Sequence, residues 1–226
     1  VRVWTAGRAC VICGRPLGRS WRVSLLSRPF CLIHVGEPGC RICAEPCVTE
    51  RLCRPCGATA VTTQADVDRE VPGIRRVLTE MGVVLRTPVP ARLVPGSYLD
   101  RDFQGAGFKV HGYTRSRGGE VVGITILSGL AQVEFGAVVA HEVMHAWLIQ
   151  HGFPDAPDPL VEGLCELVAY GWLGRRADPR AALLRDGMHR RADAVYGEGF
   201  RQAYTAAQRH GVPGVLEAVR ATGRLP

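Results

Sequence analysis

Val139-Ala140-His141-Glu142-Val143-Met144-His145-Ala146-Trp147 lies inside the strongest helical pattern of the chain, Gln132 to Gln150. Histidines four positions apart are separated by about 40° around an α-helix, so both imidazoles face one point. Neutral imidazole nitrogens bind zinc at about 2 Å. Glu142 follows the first histidine, where its carboxylate can take a proton from a zinc-bound water and deliver it to a leaving amine. A solvated helix could carry the same three residues on a polar face. Here the flanks Val138, Val139, Ala140, Val143, Met144, Trp147 and Leu148 are apolar. Imidazole and carboxylate groups in a buried helix need partners, and a metal ion provides them.

A catalytic zinc needs a third protein ligand and an open position. Glu162 is the expected ligand. Asp158, as N-cap, and Pro159 open a second helical pattern that runs to about Leu173, and an antiparallel return would bring Glu162 back to the histidines. Glu162-Gly163-Leu164 resembles the Glu-Gly-Phe segment that carries the third ligand in gluzincin aminopeptidases, with a shorter step from the second histidine. Glu166, one turn further on, is the competing ligand. If Glu162 binds the metal, Glu166 is placed to accept a proton from a ligand histidine. His151 and Asp155 are weaker ligand candidates and read as surface residues. A donor to the developing oxyanion is also expected, with Tyr196 and His189 as candidates.

The chain holds nine cysteines, eight of them between Cys10 and Cys56. Cys10-Val11-Ile12-Cys13 pairs with Cys31-Leu32-Ile33-His34, and Cys40-Arg41-Ile42-Cys43 pairs with Cys53-Arg54-Pro55-Cys56. Each set supplies four soft or borderline ligands, enough to close a tetrahedral structural zinc site. An odd total arranged as CxxC pairs fits metal ligation in a reducing, cytoplasmic setting better than disulfides. Cys47 is left over, as a buried thiol or a replacement for Cys43. Cys165 reads as a small buried apolar residue. The expected complement is therefore three zinc ions, one catalytic and two structural.

These features divide the 226 residues into a Cys-rich double-knuckle module, 1–57, and a larger domain, 58–226. A hydrophobic fraction of 46% and a charged fraction of 22% argue against disorder, and no apolar run approaches a membrane span. The start, Val1 to Thr5, has no apolar segment of the signal-peptide kind. The formal charge of +7 is too modest to assign a nucleic-acid partner, although Trp4, Trp21, Arg19 and Arg22 form a suggestive cluster. Further expectations are a helix from Asp66 to Gly82 restarted or kinked at Pro72, a short strand Val83–Arg86, and strands Gly107–Thr114 and Glu120–Leu127. Helices are expected at Pro179–Ala194, Glu198–His210 and Pro213–Ala221. The fold class is α+β: a zincin-like metallopeptidase domain with a small sheet and active-site helices, behind a small zinc-binding module. The strand 120–127 is expected to offer an open edge to an extended peptide.

Three segments in order resemble the plant DA-one family, LIM-domain peptidases that are activated by ubiquitin and limit organ growth. They are Ala140 to Leu148, Val161-Glu162-Gly163-Leu164-Cys165-Glu166-Leu167-Val168-Ala169-Tyr170-Gly171-Trp172-Leu173, and Val195-Tyr196-Gly197-Glu198-Gly199-Phe200-Arg201. Glu120 to Leu130 is similar to the strand before that family's active helix. The resemblance spans about residues 65–226 and is looser over the Cys-rich part. It implies a zinc peptidase acting on a protein or peptide substrate, with His141, His145 and Glu142 in the roles above. By resemblance alone it adds a ubiquitin or ubiquitin-like regulator. The six-residue step from His34 to Cys40 and the short second module depart from a regular LIM domain, so the module is LIM-like. The compact form is similar to a bacterial relative, in which ubiquitin control does not carry over safely. Two other readings compete. One is a zinc-knuckle module that binds protein or nucleic acid. The other is a DNA-associated protease of the SprT type, whose third histidine ligand is at odds with Glu162-Gly163.

Overall fold

The computed structural model describes residues 9–47, 52–102 and 110–226 of the chain. Trp4 and the first residues of the strand expected from Gly107 lie outside these.

The Cys-rich segment folds around two knuckles with one hydrogen-bond pattern. Cys10 N donates to Arg15 O and Gly14 N to Cys10 O, beside a bridge between Ala9 and Pro16. Cys40 N donates to Glu45 O and Ala44 N to Cys40 O, beside a bridge between Gly39 and Pro46. The turn needs positive φ, which Gly14 supplies at 73° and Ala44 at 54°. A hairpin of β1 (Trp21–Val23) and β2 (Pro29–Cys31) leads into a 3-10 turn, Leu32–His34, and α1 (Arg54–Gly57) follows.

The larger part begins with β3 (Ala60–Val61) and α2 (Gln64–Glu80). Thr63 caps α2 in a reciprocal box with Asp66, and the helix continues through Pro72. The expected strand Val83–Arg86 does not form. The backbone N–H groups of Arg86 and Thr87 donate to the side chain of Gln150, and Pro88 and Pro90 follow. The strand lies further on, as β4 (Ala91–Val94), and α3 (Gly96–Asp102) comes next. β5 (Gly112–Arg117) and β6 (Glu120–Leu127) form a hairpin through Gly118-Gly119, both at positive φ, as a two-residue primed turn requires. The sheet order is β4-β6-β5, with β4 parallel and β5 antiparallel to β6. Strand 120–127 is therefore the middle strand, and its expected open edge is closed on both sides. The edge beside the histidine helix is β5.

β7 (Leu130–Ala131) pairs with β3 and leads directly into α4 (Gln132–Gln150). α4 is apolar nearly all round and buried on most faces, the pattern of a central helix. α5 (Asp158–Gly174) returns after a proline-rich loop, followed by α6 (Pro179–Arg190). A short π-helix, Ala194–Glu198, precedes α7 (Gly199–Thr222), which breaks at Gly211 (φ 71°) into the two expected helices.

One apolar core runs through the molecule. It joins Val139, Val143 and Met144 of α4 and Leu164 and Val168 of α5 to Cys40, Ile42, Cys43, Cys53 and Cys56 of the second knuckle. A bidentate ion pair adds to this join. Arg41 Nε and Nη2 donate to the carboxylate of Glu134 in the first turn of α4, at 3.0 and 2.8 Å. Arg180, opening α6, reaches Pro55 O at 3.5 Å and Cys56 Sγ at 4.0 Å. Among the described residues no helix is long and apolar enough to cross a membrane.

Candidate functional site

Helix periodicity puts His141 and His145 on one face of α4, and the Nε2 atoms stand 3.1 Å apart. α5 runs back beside them. Glu162 Oε2 lies 3.0 Å from His141 Nε2 and 3.4 Å from His145 Nε2. That oxygen is buried, and among the described residues nothing meets it in hydrogen-bond geometry. Ligand atoms about 2.0–2.1 Å from one tetrahedral ion stand about 3.3 Å apart. The three donors thus have the spacing of a shared metal. Glu166, one turn on, places Oε1 3.4 Å from His141 Nδ1, on the far side of the ring, and also meets Arg191 Nη1 at 3.4 Å. The two carboxylates meet opposite nitrogens of the ring, Glu162 at Nε2 and Glu166 at Nδ1.

The electrostatics agree. Burial drives the His141 imidazole down, but Glu162 and Glu166 outweigh it and lift it to about 10. Burial drives the Glu162 carboxyl up, but His141 and His145 outweigh it and hold it down at about 2. Glu162 thus pairs with both histidines. Glu142 is buried, and that burial pushes its carboxyl up, against the pull of His141, His145 and the Thr114 hydroxyl.

Tyr196 belongs to the π-helix, whose first turn is capped by Asp193 accepting from Tyr196 N and Gly197 N. Its ring centroid lies 6.3 Å from that of His141, and the Arg191 guanidinium lies over its ring at 4.7 Å. Burial, then Glu162 and Glu142, push its phenol up, so it stays a proton donor. His189 sits elsewhere. Its ring packs against Tyr170, Phe200 and Tyr204, and its Nε2 meets the Tyr170 hydroxyl at 3.3 Å. That aromatic cluster, not the histidine face of α4, is where its side chain is used. His151 stacks on Trp147 at 4.2 Å at the end of α4. Cys165, read as apolar filler, is fully buried, and its sulfur lies within 4.8 Å of the two imidazole donors. Its place three residues after Glu162 was the available signal.

The other two clusters have the expected members. Cys10, Cys13, Cys31 and His34 converge, as do Cys40, Cys43, Cys53 and Cys56. The Cys13–Cys31 sulfurs are 3.7 Å apart, with Cys43–Cys53 at 3.6 Å and Cys43–Cys56 at 3.9 Å, and all nine cysteines are free of disulfides. Sulfurs bound at about 2.3 Å to one tetrahedral ion stand about 3.8 Å apart. Burial pushes Cys10 up, but backbone N–H groups of the knuckle outweigh it and bring the thiol down to about 6. Such donors are ready to hold a thiolate. Burial and the neighbouring sulfurs lift Cys31 to about 11. These Cys/His clusters can bind zinc. Cys47 stands outside the second cluster as a buried thiol.

Residues 100–188 match the DA1-like family, described as Protein DA1. This stretch is similar to that family. The match covers β5, β6, β7, α4, α5 and most of α6, and so His141, Glu142, His145, Glu162 and Glu166, while Arg191, Asp193 and Tyr196 lie beyond it. Protein DA1-related 1 of Arabidopsis thaliana is 30% identical over 138 residues, 47% of this chain and 25% of that protein. Protein DA1 of the same plant is 30% identical over 142 residues, 50% of this chain and 27% of that protein. The LIM domain-containing protein HDR3 of Oryza sativa subsp. japonica is 27% identical over 143 residues, 47% of this chain and 28% of that protein. The chain therefore spans about a quarter of the length of the curated relatives it matches. No solved structure matches.

Proposed function

We propose that the chain is a zinc-dependent endopeptidase, its DA1-like domain folded as a zincin and its structural zincs held in a LIM-like module. One observation carries this reading: His141, His145 and Glu162 place three donors within 3.4 Å of one another, and Glu142 stands buried on the same helix. A zinc ion held by those three supplies Lewis-acid chemistry, lowering the pKa of water and polarising a carbonyl. Glu142 is the general base. Its burial favours the neutral acid, so it takes a proton from water and passes it to the leaving amine. Glu166 Oε1, 3.4 Å from His141 Nδ1, is placed to accept that proton, which leaves the Nε2 lone pair for the zinc. The Tyr196 hydroxyl is the candidate donor to the oxyanion. An extended substrate would pair with β5, which among the described residues has a strand partner on one side only.

The test is zinc content by mass spectrometry beside cleavage of an unfolded protein. Wild type should carry about three zincs, Glu162→Ala should hold one of them weakly, and Glu142→Gln should keep all of them while losing cleavage. Two zincs, unchanged by Glu162→Ala and without cleavage, would leave a zinc-stapled binding protein.

A further inference from the structure

We propose that Thr114 is the positioning residue of the base, holding one carboxylate oxygen of Glu142 so that the other takes the proton; this rests on the peptidase reading. Thr114 Oγ1 lies 2.9 Å from Glu142 Oε2 and 2.8 Å from the backbone oxygen of Glu142. Two features of β5 bring it there. At Gly112 a Cβ would stand 2.7 Å from Val138 Cγ1 and 3.2 Å from Glu142 Cγ, so only glycine lets the strand approach α4 this closely. Thr114 is two residues on and shares that face. Just beyond it the register shifts between Arg115 and Ser116, a bulge of the kind that re-aims side chains beside active sites.

A threonine hydroxyl has one proton and two lone pairs. Donated to Oε2, the proton fixes the carboxylate rotamer and occupies that oxygen, leaving Oε1 for the water proton. The backbone oxygen is a second acceptor at almost the same distance. The hydroxyl can therefore release Oε2 without being left unpaired. The β5 edge offered to substrate and the base that serves it are thus tied through one side chain, an arrangement that helix periodicity in α4 does not reveal.

The experiment measures kcat and KM on fluorescein-labelled unfolded casein for wild type, Thr114→Val, Thr114→Ser and Glu142→Gln, with zinc content of each. Thr114→Val should lower kcat by about ten- to a hundredfold, the worth of one hydrogen bond to a charged group, with KM within about twofold and zinc unchanged. Thr114→Ser, which keeps the hydroxyl, should stay within about threefold of wild type. If Thr114→Val fails to fold, Thr114→Ala against Thr114→Ser gives the same comparison. Wild-type cleavage with Glu142→Gln dead and Thr114→Val unchanged overturns the assignment of Thr114 alone. A serine variant as slow as the valine one overturns it too. A wild type that does not cleave overturns the peptidase reading and this assignment with it.

Discussion

Replacing Arg41 by Met removes the cation that joins the second knuckle to the start of α4. Glu134 is 8% exposed and takes three hydrogen bonds from the Arg41 guanidinium, at 3.0, 3.1 and 2.8 Å. Without Arg41 its remaining ionic neighbour is His111, at 3.6 Å. Breaking a buried pair from one side costs about 3–5 kcal/mol. The Arg41 side chain is 28% exposed, so water replaces part of what is lost, and about 2–3 kcal/mol is the expected cost. For a chain of this length that lowers Tm by about 4–12 °C. Most of the loss is the stranded carboxylate. Arg41→Met/Glu134→Gln should therefore regain about 1–2 kcal/mol over the sum of the two single changes. The assay is calorimetric unfolding of the zinc-loaded wild type, the two single variants and the double variant. A single variant that melts within 1 °C of wild type, or strictly additive changes, would refute the reasoning.

Three further outcomes are expected. Gly163→Ala would set a Cβ 2.3 Å from Gly199 O, and since that neighbour is backbone the helices must part; stability should fall by about 3 kcal/mol or more, with about one zinc lost beside Glu162, read by thermal unfolding and metal analysis. Ala44→Gly relieves a left-handed alanine in an exposed knuckle turn and should stabilise by about 0.5–1 kcal/mol, read as a rise in Tm; a fall would contradict the strain argument. Metal entering the His141 cluster must displace the proton that Glu162 and Glu166, against burial, hold on His141 up to about pH 10. Affinity should therefore rise with pH, by about tenfold per unit for each proton released, and chelator competition at pH 6, 7 and 8 would detect a flat profile if the proton is not there.

Helices α4 and α5 were legible because their apolar periodicity and proline and glycine punctuation are local. The two knuckles were legible because their ligands recur in pairs at fixed spacing. The errors arose where pairing is not local. Val83-Val84-Leu85 has strand composition but no strand partner among the described residues, whereas Ala91-Arg92-Leu93-Val94 has a weak pattern and the register of β6. That parallel pairing buries the edge assigned to β6 and moves it to β5. His189 carries the chemistry of a donor, but three aromatic rings from α5 and α7 decide its place. Arg41 reads as a knuckle spacer, and nothing near it in sequence points to Glu134. Thr114 has no motif at all; only the close approach allowed by Gly112 brings it to Glu142.

The second knuckle shares its interior with α4 and α5, and this bears on how the protein is made as well as on how it works. A chain released from the ribosome without zinc would lack the ties at Cys40, Cys43, Cys53 and Cys56 in the middle of its interior, with four thiols crowded there. Zinc supply during synthesis should then govern how much protein reaches its mature form and how much goes to the degradation machinery. The same sharing argues against trimming at Gly57 to obtain a smaller folded fragment, because the cut would strip one wall from the helices that carry His141 and Glu162.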